Sequence, residues 1–337
     1  MIPNKGGTAL IIEEPQRTSL DSYDLLILET LINNSRISLT EIGSKAGLSR
    51  FAVRKRVEKL FSEEIVLGPT VVLNPLLIGF KRTVFFEFKT NPHEPWLAKL
   101  LEKTNACDLV YGITGEYSLF GRFRLADDEH FSRVLKKIDD AMAKSFFKKY
   151  RVVNAIQVFK ESDVAFKLRE TGVKLDEVDL RILEILLNQG EFVKTPFPVT
   201  TVQLSQLLRR FGLKISQPTV FQLLAKLEEN GVIAKNTMRV DWAKLGLKTK
   251  VIVRVKANPN VYNVVAQNFL APMNEITDLY RTCEEYGLLA IVRMRDISEY
   301  NSFLVKLYDI SDVIDTSTTL VLEERKNAAT FLRKEQL

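Results

Sequence analysis

Gly47-Leu48-Ser49-Arg50-Phe51-Ala52-Val53-Arg54-Lys55-Arg56-Val57-Glu58-Lys59-Leu60 is the stretch on which the reading of the chain turns. Ser49 reads as a helix N-cap, its side-chain oxygen placed to accept from a free N–H of the first turn. Val53, Val57 and Leu60 recur at i, i+4 and i+7, the spacing of one buried helical stripe. Arg50, Arg54, Lys55, Arg56 and Lys59 fall outside that stripe. The spacing predicts a short helix with a thin apolar back and a cationic front. A charged front alone is usually a solvated surface. Here an amphipathic helix and a second short helix precede it. Ile65-Val66 and Val71-Val72-Leu73, set about Gly68-Pro69, predict a β-hairpin after it. That succession is the layout of a winged helix-turn-helix, whose second helix enters the major groove of duplex DNA.

The chain has 337 residues, room for about two to four domains. Apolar residues make up 46% and charged residues 27%, which excludes a disordered chain. A net charge of +6 and a pI of about 9.1 permit polyanion binding without establishing it, since where the basic residues cluster matters more. No apolar run has the length of a membrane span, and the start of the chain lacks a signal-peptide pattern. Two cysteines, Cys107 and Cys283, cannot form a disulfide framework or a four-ligand zinc site. A reducing, cytoplasmic setting is expected. Both cysteines read as small core residues, and Trp96 and Trp242 as packing anchors. His93 and His130 belong to no nucleophile or metal pattern, and no phosphate loop or dinucleotide fingerprint is present. The expectation is a protein that is not an enzyme, with no cofactor and no metal.

Working outward, residues 1–19 carry Pro3, Gly6-Gly7 and Pro15 and read as an N-terminal arm. Asp21 can cap a first helix with Leu25, Leu28, Leu31 and Ile32 on its buried side. A second helix spans about Thr40 to Ala46, broken by Gly47. Asn74 to Gly79 reads as a hinge. Val84-Phe85-Phe86-Glu87-Phe88 then begins a set of strands and helices in the order βαββαβ, a ferredoxin-like unit. Its antiparallel sheet would bury one face under two helices and leave the other to a partner.

The pattern then repeats. Leu175-Asp176-Glu177-Val178-Asp179-Leu180-Arg181-Ile182-Leu183 restates Leu20-Asp21-Ser22-Tyr23-Asp24-Leu25-Leu26-Ile27-Leu28, and Val240 to Gly246 restates Leu73 to Gly79. The second copy carries an inserted loop near Glu191 to Pro198. The fold class expected is α+β, two copies of a winged helix-turn-helix followed by a ferredoxin-like βαββαβ domain. The boundaries expected are an arm at 1–19, winged helices at 20–74 and 175–241, sheet domains at 75–162 and 242–325, a linker at 163–174 and a tail at 326–337.

This succession resembles the Lrp/AsnC family of transcriptional regulators. The likeness rests on Leu20-Asp21 with Asp24 and Ile27-Leu28, on Gly47-Leu48-Ser49 with Arg56-Val57 and Leu60, on Gly115-Glu116-Tyr117, and on Leu227-Glu228-Glu229-Asn230-Gly231-Val232-Ile233 in the second copy. The resemblance implies a DNA-binding regulator that dimerises or assembles further through its sheet (RAM) domains. A tandem chain is then similar to a covalently joined dimer. It also implies a small-molecule effector near a Gly-Asp-Tyr-Asp-like turn, here Gly115, Glu116, Tyr117 and Ser118, with Glu285 and Tyr286 in the second copy. The second acidic position is missing from both turns.

Several cationic contacts to phosphate would make DNA affinity fall steeply with salt. On the first basic helix, Ser49, Arg50, Phe51, Arg54, Lys55, Arg56 and Lys59 are the expected DNA contacts. Arg50 and Arg54 would read base edges, and Lys55, Arg56 and Lys59 would hold phosphates. In the second copy Arg50, Arg54, Lys55 and Arg56 are replaced by Gln217, Phe221, Gln222 and Leu223. Ser216, Gln217, Thr219, Gln222 and Lys226 are the remaining candidates there, and a packing or partner-docking role is the other reading. Two further functions stand beside sequence-specific regulation: a DNA-organising or transcription-machinery-docking protein, and a siroheme decarboxylase, an enzyme class of the same architecture.

Overall fold

The computed structural model describes residues 20–166 and 173–327. The expected arm, the middle of the linker and all but the start of the tail lie outside the described residues. In chain order the elements are α1 (Ser22–Asn33), α2 (Leu39–Ala46), α3 (Arg50–Ser62), β1 (Val66–Leu73), β2 (Arg82–Phe88), α4 (Pro95–Lys103), β3 (Cys107–Ile113), β4 (Leu119–Leu125), α5 (Asp128–Met142), β5 (Tyr150–Glu161) and β6 (Val164–Ala165). Then follow α6 (Glu177–Leu187), α7 (Gln189–Phe192), α8 (Thr201–Arg210), α9 (Gln217–Glu229), β7 (Ile233–Val240), β8 (Thr249–Ala257), α10 (Tyr262–Val264) with a π-helical turn over Val265–Leu270, β9 (Ile276–Thr282), β10 (Leu288–Met294), α11 (Glu299–Tyr308) and β11 (Val313–Asn327). The class is α+β, as expected.

The described residues divide into two compact units, and each draws on both halves of the sequence. One gathers the residues up to Ile78 and those running on to Lys248; the other gathers Gly79 onward and Thr249 onward.

In the helical unit, α1 starts on a reciprocal cap. The Asp24 amide donates to the Asp21 carboxylate at 2.9 Å, and the Asp21 amide donates back to Asp24. α6 repeats this with Asp176 and Asp179. Ile27, Leu28, Leu31, Ile32, Ile42, Val53, Val57 and Leu60 form one core, joined by Met238, Val240 and Leu245. Trp242 packs against that core, whereas Trp96, in the other unit, stays 38% exposed.

The hairpin expected after α3 is absent. Residues 66–73 form one continuous strand, β1, paired antiparallel with β7, Val71 lying opposite Asn236 and Pro69 opposite Met238. Gly68, at φ +124°, absorbs a bulge beside Val66 rather than reversing the chain. Pro69 has no N–H to give, which a ribbon of two strands tolerates because each strand has an unpaired edge.

In the sheet unit, strand order is β5-β2-β4-β3 on one side and β11-β8-β10-β9 on the other. Antiparallel pairing of β3 with β11 and of β5 with β9 closes the two sheets into a ring. Side chains alternate across it. Val84, Phe86 and Phe88 pack under α4 and α5, while Phe85, Phe120, Tyr111, Ile252, Tyr280 and Ile291 fill the space between the sheets. The sheet face expected to await a partner is thus covered by the chain's other sheet. Lys326 and Asn327, assigned to a tail, continue β11 opposite Val110 and Leu109.

The space between the sheets also holds charge. Arg122 donates to Asp108 at 2.8 and 3.0 Å, to Asp278 at 3.3 Å and to the Tyr280 hydroxyl at 2.7 Å. Arg124 donates to Asp108 and to Thr83 and pairs with Glu161. Glu87 accepts from both Arg151 and Arg254.

Candidate nucleic-acid interface

The α2–α3 connection depends on a close approach. The Leu48 amide donates to Gly43 O at 2.9 Å, and a Cβ on Gly43 would lie 2.5 Å from Leu48 O. Gly47 ends α2 at φ +66°, the left-handed geometry glycine accepts without strain. Ser49 then caps α3, accepting from the Ala52 amide at 3.1 Å. Val53, Val57 and Leu60 are fully buried, as the stripe requires.

The opposite face is open. Arg50, Phe51, Arg54, Lys55 and Lys59 are all exposed. Among the described residues Arg50 makes no ion pair, and the Lys55 ammonium sits 4.8 Å from the centre of the Phe51 ring. Arg54 donates through Nε to Glu58 at 2.9 Å and lies over the Phe197 ring at 5.0 Å. Lys59 pairs loosely with Glu63, at 3.8 Å.

Arg56 behaves differently from the expectation. It points back into the unit, donating at 2.7 Å to both Asp21 and Asp24 and lying 5.3 Å over the Tyr23 ring. Hydrogen bonds to Asp24 and then Asp21 raise its guanidinium pKa. Burial opposes the shift at Asp21, but the Asp24 amide and Arg56 hold its carboxyl below the usual range. Arg56 ties α3 to the start of α1 and is not on the cationic front.

On α9, Ser216 is the N-cap, bonded to the Thr219 amide and hydroxyl. Gln217 donates to Thr201 at 3.0 Å, which fixes it against α8. Thr219 and Gln222 are exposed, as is Phe221 at 62%. Leu223 stands where α3 has Arg56. Asp179, which completes the cap of α6 as Asp24 completes that of α1, is fully buried, and its Oδ1 has no hydrogen-bond partner among the described residues. Lys226 is 3.8 Å away. Burial pushes the Asp179 carboxyl up.

The two turns named as effector sites are engaged locally. Glu116 pairs with Lys149 at 2.5 Å, Tyr117 lies beside Arg151, and the Ser118 hydroxyl meets Thr90 at 2.7 Å. Gly115 takes φ +102° to make the turn. Glu285 pairs with Lys256 at 2.7 Å, and the Tyr286 hydroxyl donates to Asp315 at 2.6 Å. Cys107 is buried and its thiol is pushed up to about 12 by desolvation, but Cys283, expected in the core, is exposed. His93 is exposed, and His130 Nδ1 accepts from the Ala126 amide at 3.4 Å. Among the described residues no three His, Cys, Asp or Glu side chains gather as a metal site, and no helix is long and apolar enough to cross a membrane.

Sequence reasoning gave Asp24 only as part of the family likeness, without its tie to Arg56, and missed Phe197. Asp24 is a carboxylate on the apolar side of α1, and that misplacement was the available signal for its tie to Arg56. Phe197 lies in the inserted loop, and nothing local indicates that it reaches α3.

Comparison with known proteins places these features. Residues 20–60 match the AsnC-type helix-turn-helix domain, and residues 250–331 match the Lrp/AsnC ligand binding domain. HTH-type transcriptional regulator FL11 of Pyrococcus horikoshii is 34% identical over 154 residues, covering 46% of this chain and 93% of that protein. HTH-type transcriptional regulator LysM of Sulfurisphaera tokodaii is 30% identical over 148 residues, covering 44% and 95%. Among solved structures, the siroheme decarboxylase NirDL superposes over 93% of this chain and 96% of its own with a TM-score of 0.65 at 15% identity, a likeness of fold alone. On the strength of the matched domains and of relatives aligned over nearly their whole length, the chain belongs to the Lrp/AsnC family.

Proposed function

We propose that the protein is a DNA-binding transcriptional regulator that grips duplex DNA mainly through α3. The observation that carries this reading is the open face of α3, where Arg50, Arg54 and Lys55 stand exposed on a helix whose back is locked into the core. The names of the related regulators support it. Arg50 and Arg54 are suited to bidentate contact with guanine, worth about 1–3 kcal/mol of discrimination each. Lys55 and Lys59 would hold phosphates, with Ser49 and Phe51 flanking the contact. Arg56 acts from within, fixing the helix that presents the others.

In this reading the chain is a tandem of the family's unit, with the domain boundaries given above except that the second sheet domain runs on to Asn327. The alignment of single relatives to under half of it supports this. The second head grips DNA weakly. Gln217 is engaged by α8, and Ser216, Thr219, Gln222 and Lys226 remain its candidate contacts. Further assembly of copies, as dimers or larger closed oligomers, would place α3 helices at a fixed spacing and select a spaced, near-palindromic site. A small effector at the Glu116 and Glu285 turns would have to displace the Lys149 and Lys256 pairs.

The deciding experiment is DNA binding by Arg50→Ala plus Arg54→Ala against Gln217→Ala plus Gln222→Ala. The first pair should reduce affinity at least tenfold more than the second, with a shallower salt dependence. Equal losses would refute the asymmetry, and no loss from the first pair would refute the role of α3. A siroheme decarboxylase is the rival from another class, and NirDL shares with this chain the fold alone. Siroheme added to the purified protein should leave the pigment spectrum of free siroheme unchanged; a shifted spectrum that co-elutes with the protein would favour the enzyme.

A further inference from the structure

We propose that the inserted loop of the second half is a buttress for the first half's DNA-reading helix, and that Phe197 is a positioning residue which sets the orientation of Arg54. The inference rests on the reading of α3 given above.

An exposed arginine carries about 2 kcal/mol of rotamer entropy, and a binding partner must freeze it. Side chains already held in the bound orientation avoid that cost. Arg54 is held twice: Glu58 takes its Nε at 2.9 Å, and the Phe197 ring lies under its guanidinium at 5.0 Å. Neither contact uses the terminal Nη atoms, which are the donors that a guanine edge needs.

Phe197 is itself fixed. Pro196 and Pro198 flank it and restrict the backbone. The buried Gln189 side chain donates to Phe197 O at 2.9 Å and accepts from the Val199 amide at 2.8 Å. The Phe197 amide donates to Thr195 Oγ1 at 3.2 Å. The ring packs against the core that also holds Val53 and Val57. The loop is therefore a stiff strut between the two halves' helices, with an aromatic plate at its tip. Among the described residues the second head has no equivalent arrangement. Its α9 carries Phe221 in the place of Arg54, and the connection between α1 and α2 spans only residues 34–38.

The test uses the full chain with Phe197→Leu, Phe197→Tyr and Arg54→Ala, alone and combined, in selection from a random duplex library followed by titration of the selected site. Phe197→Leu should bind that site about three- to tenfold more weakly, with relaxed preference at the base read by Arg54. Phe197→Tyr, which keeps an aromatic face, should restore both. Phe197→Leu should add no further loss in the Arg54→Ala background. Three results would overturn the proposal: Phe197→Leu binding as the unchanged protein does; equal losses with and without Arg54; or a loss not rescued by tyrosine. If Phe197→Leu fails to fold, Phe197→Met is read against Phe197→Tyr by the same criteria. Should Arg54→Ala with Arg50→Ala leave binding intact, the reading of α3 fails instead.

Discussion

Arg56 and Leu223 stand at matching places on α3 and α9, and the carboxylates of Asp24 and Asp179 show what the difference does. Asp24 is buried and paired with Arg56 at 2.7 Å; Asp179 is buried, its Oδ2 bonded to the Asp176 amide and 3.8 Å from Lys226, and its Oδ1 is unpartnered among the described residues. A buried carboxylate oxygen left without a hydrogen bond is costly. Arg56→Leu should therefore destabilise the helical unit by about 1–3 kcal/mol, and Leu223→Arg should stabilise it by about 1 kcal/mol, both read from urea midpoints. The pH dependence follows from the sign of the shift. Asp179 is raised by burial, so in the unchanged protein its contribution is most favourable below the unfolded carboxyl value near 4 and declines as pH rises through the folded value. A guanidinium introduced beside it would lower the carboxyl, so the gain from Leu223→Arg should be full at pH 7 and vanish as pH falls below about 4. A gain that persisted at pH 3 would show that packing, not charge, is responsible. Sequence spacing alone put Arg56 among the wet residues of α3, because a helical wheel marks which residues leave one stripe but not which of them meet a neighbouring helix. Arg50, Arg54 and Lys55 were legible by the same rule since they stay exposed, although the Phe197 ring against Arg54 was not.

At the scale of elements, α1 to α3 and the caps Asp21 and Ser49 were readable from local spacing, whereas the wing was not. Gly68-Pro69 between apolar pairs is a fair hairpin signal, yet the chain runs straight on as β1 and takes β7 for its partner. No local rule distinguishes these outcomes, since the better pairing surface is supplied by another part of the sequence. The bulge at Gly68 makes the straight path possible. Gly68→Ala places a side chain at φ +124° and 3.7 Å from Thr195 O, so a loss of about 1–3 kcal/mol is expected in thermal or urea unfolding. An unaltered midpoint would count against a strained, glycine-dependent bulge at this position.

Over the whole molecule, each sheet is matched to the other by charge as well as shape. Arg122 on β4 meets Asp278 on β9, and Arg254 on β8 meets Glu87 on β2. Two copies of either sheet would not reproduce these pairs, so the interior favours closure of unlike sheets. Glu87→Gln should cost about 3–5 kcal/mol, because it strands Arg254 in the interior, and Arg254→Gln in the same chain should recover part of that loss in a double-mutant cycle. Additive losses would mean that the pair is not coupled. The βαββαβ order was legible because each unit is local in sequence, but closure of the ring was not, since β3–β11 and β5–β9 pair residues far apart in the chain. The β1–β7 ribbon has the same character, and it bears on synthesis. A ribosome adding about 5–20 residues per second finishes Val71 roughly 8–30 seconds before Asn236 exists. Throughout that interval β1 lacks the partner strand it has in the finished chain. Neighbouring polypeptides on one messenger could therefore exchange these strands before each chain completes its own ribbon.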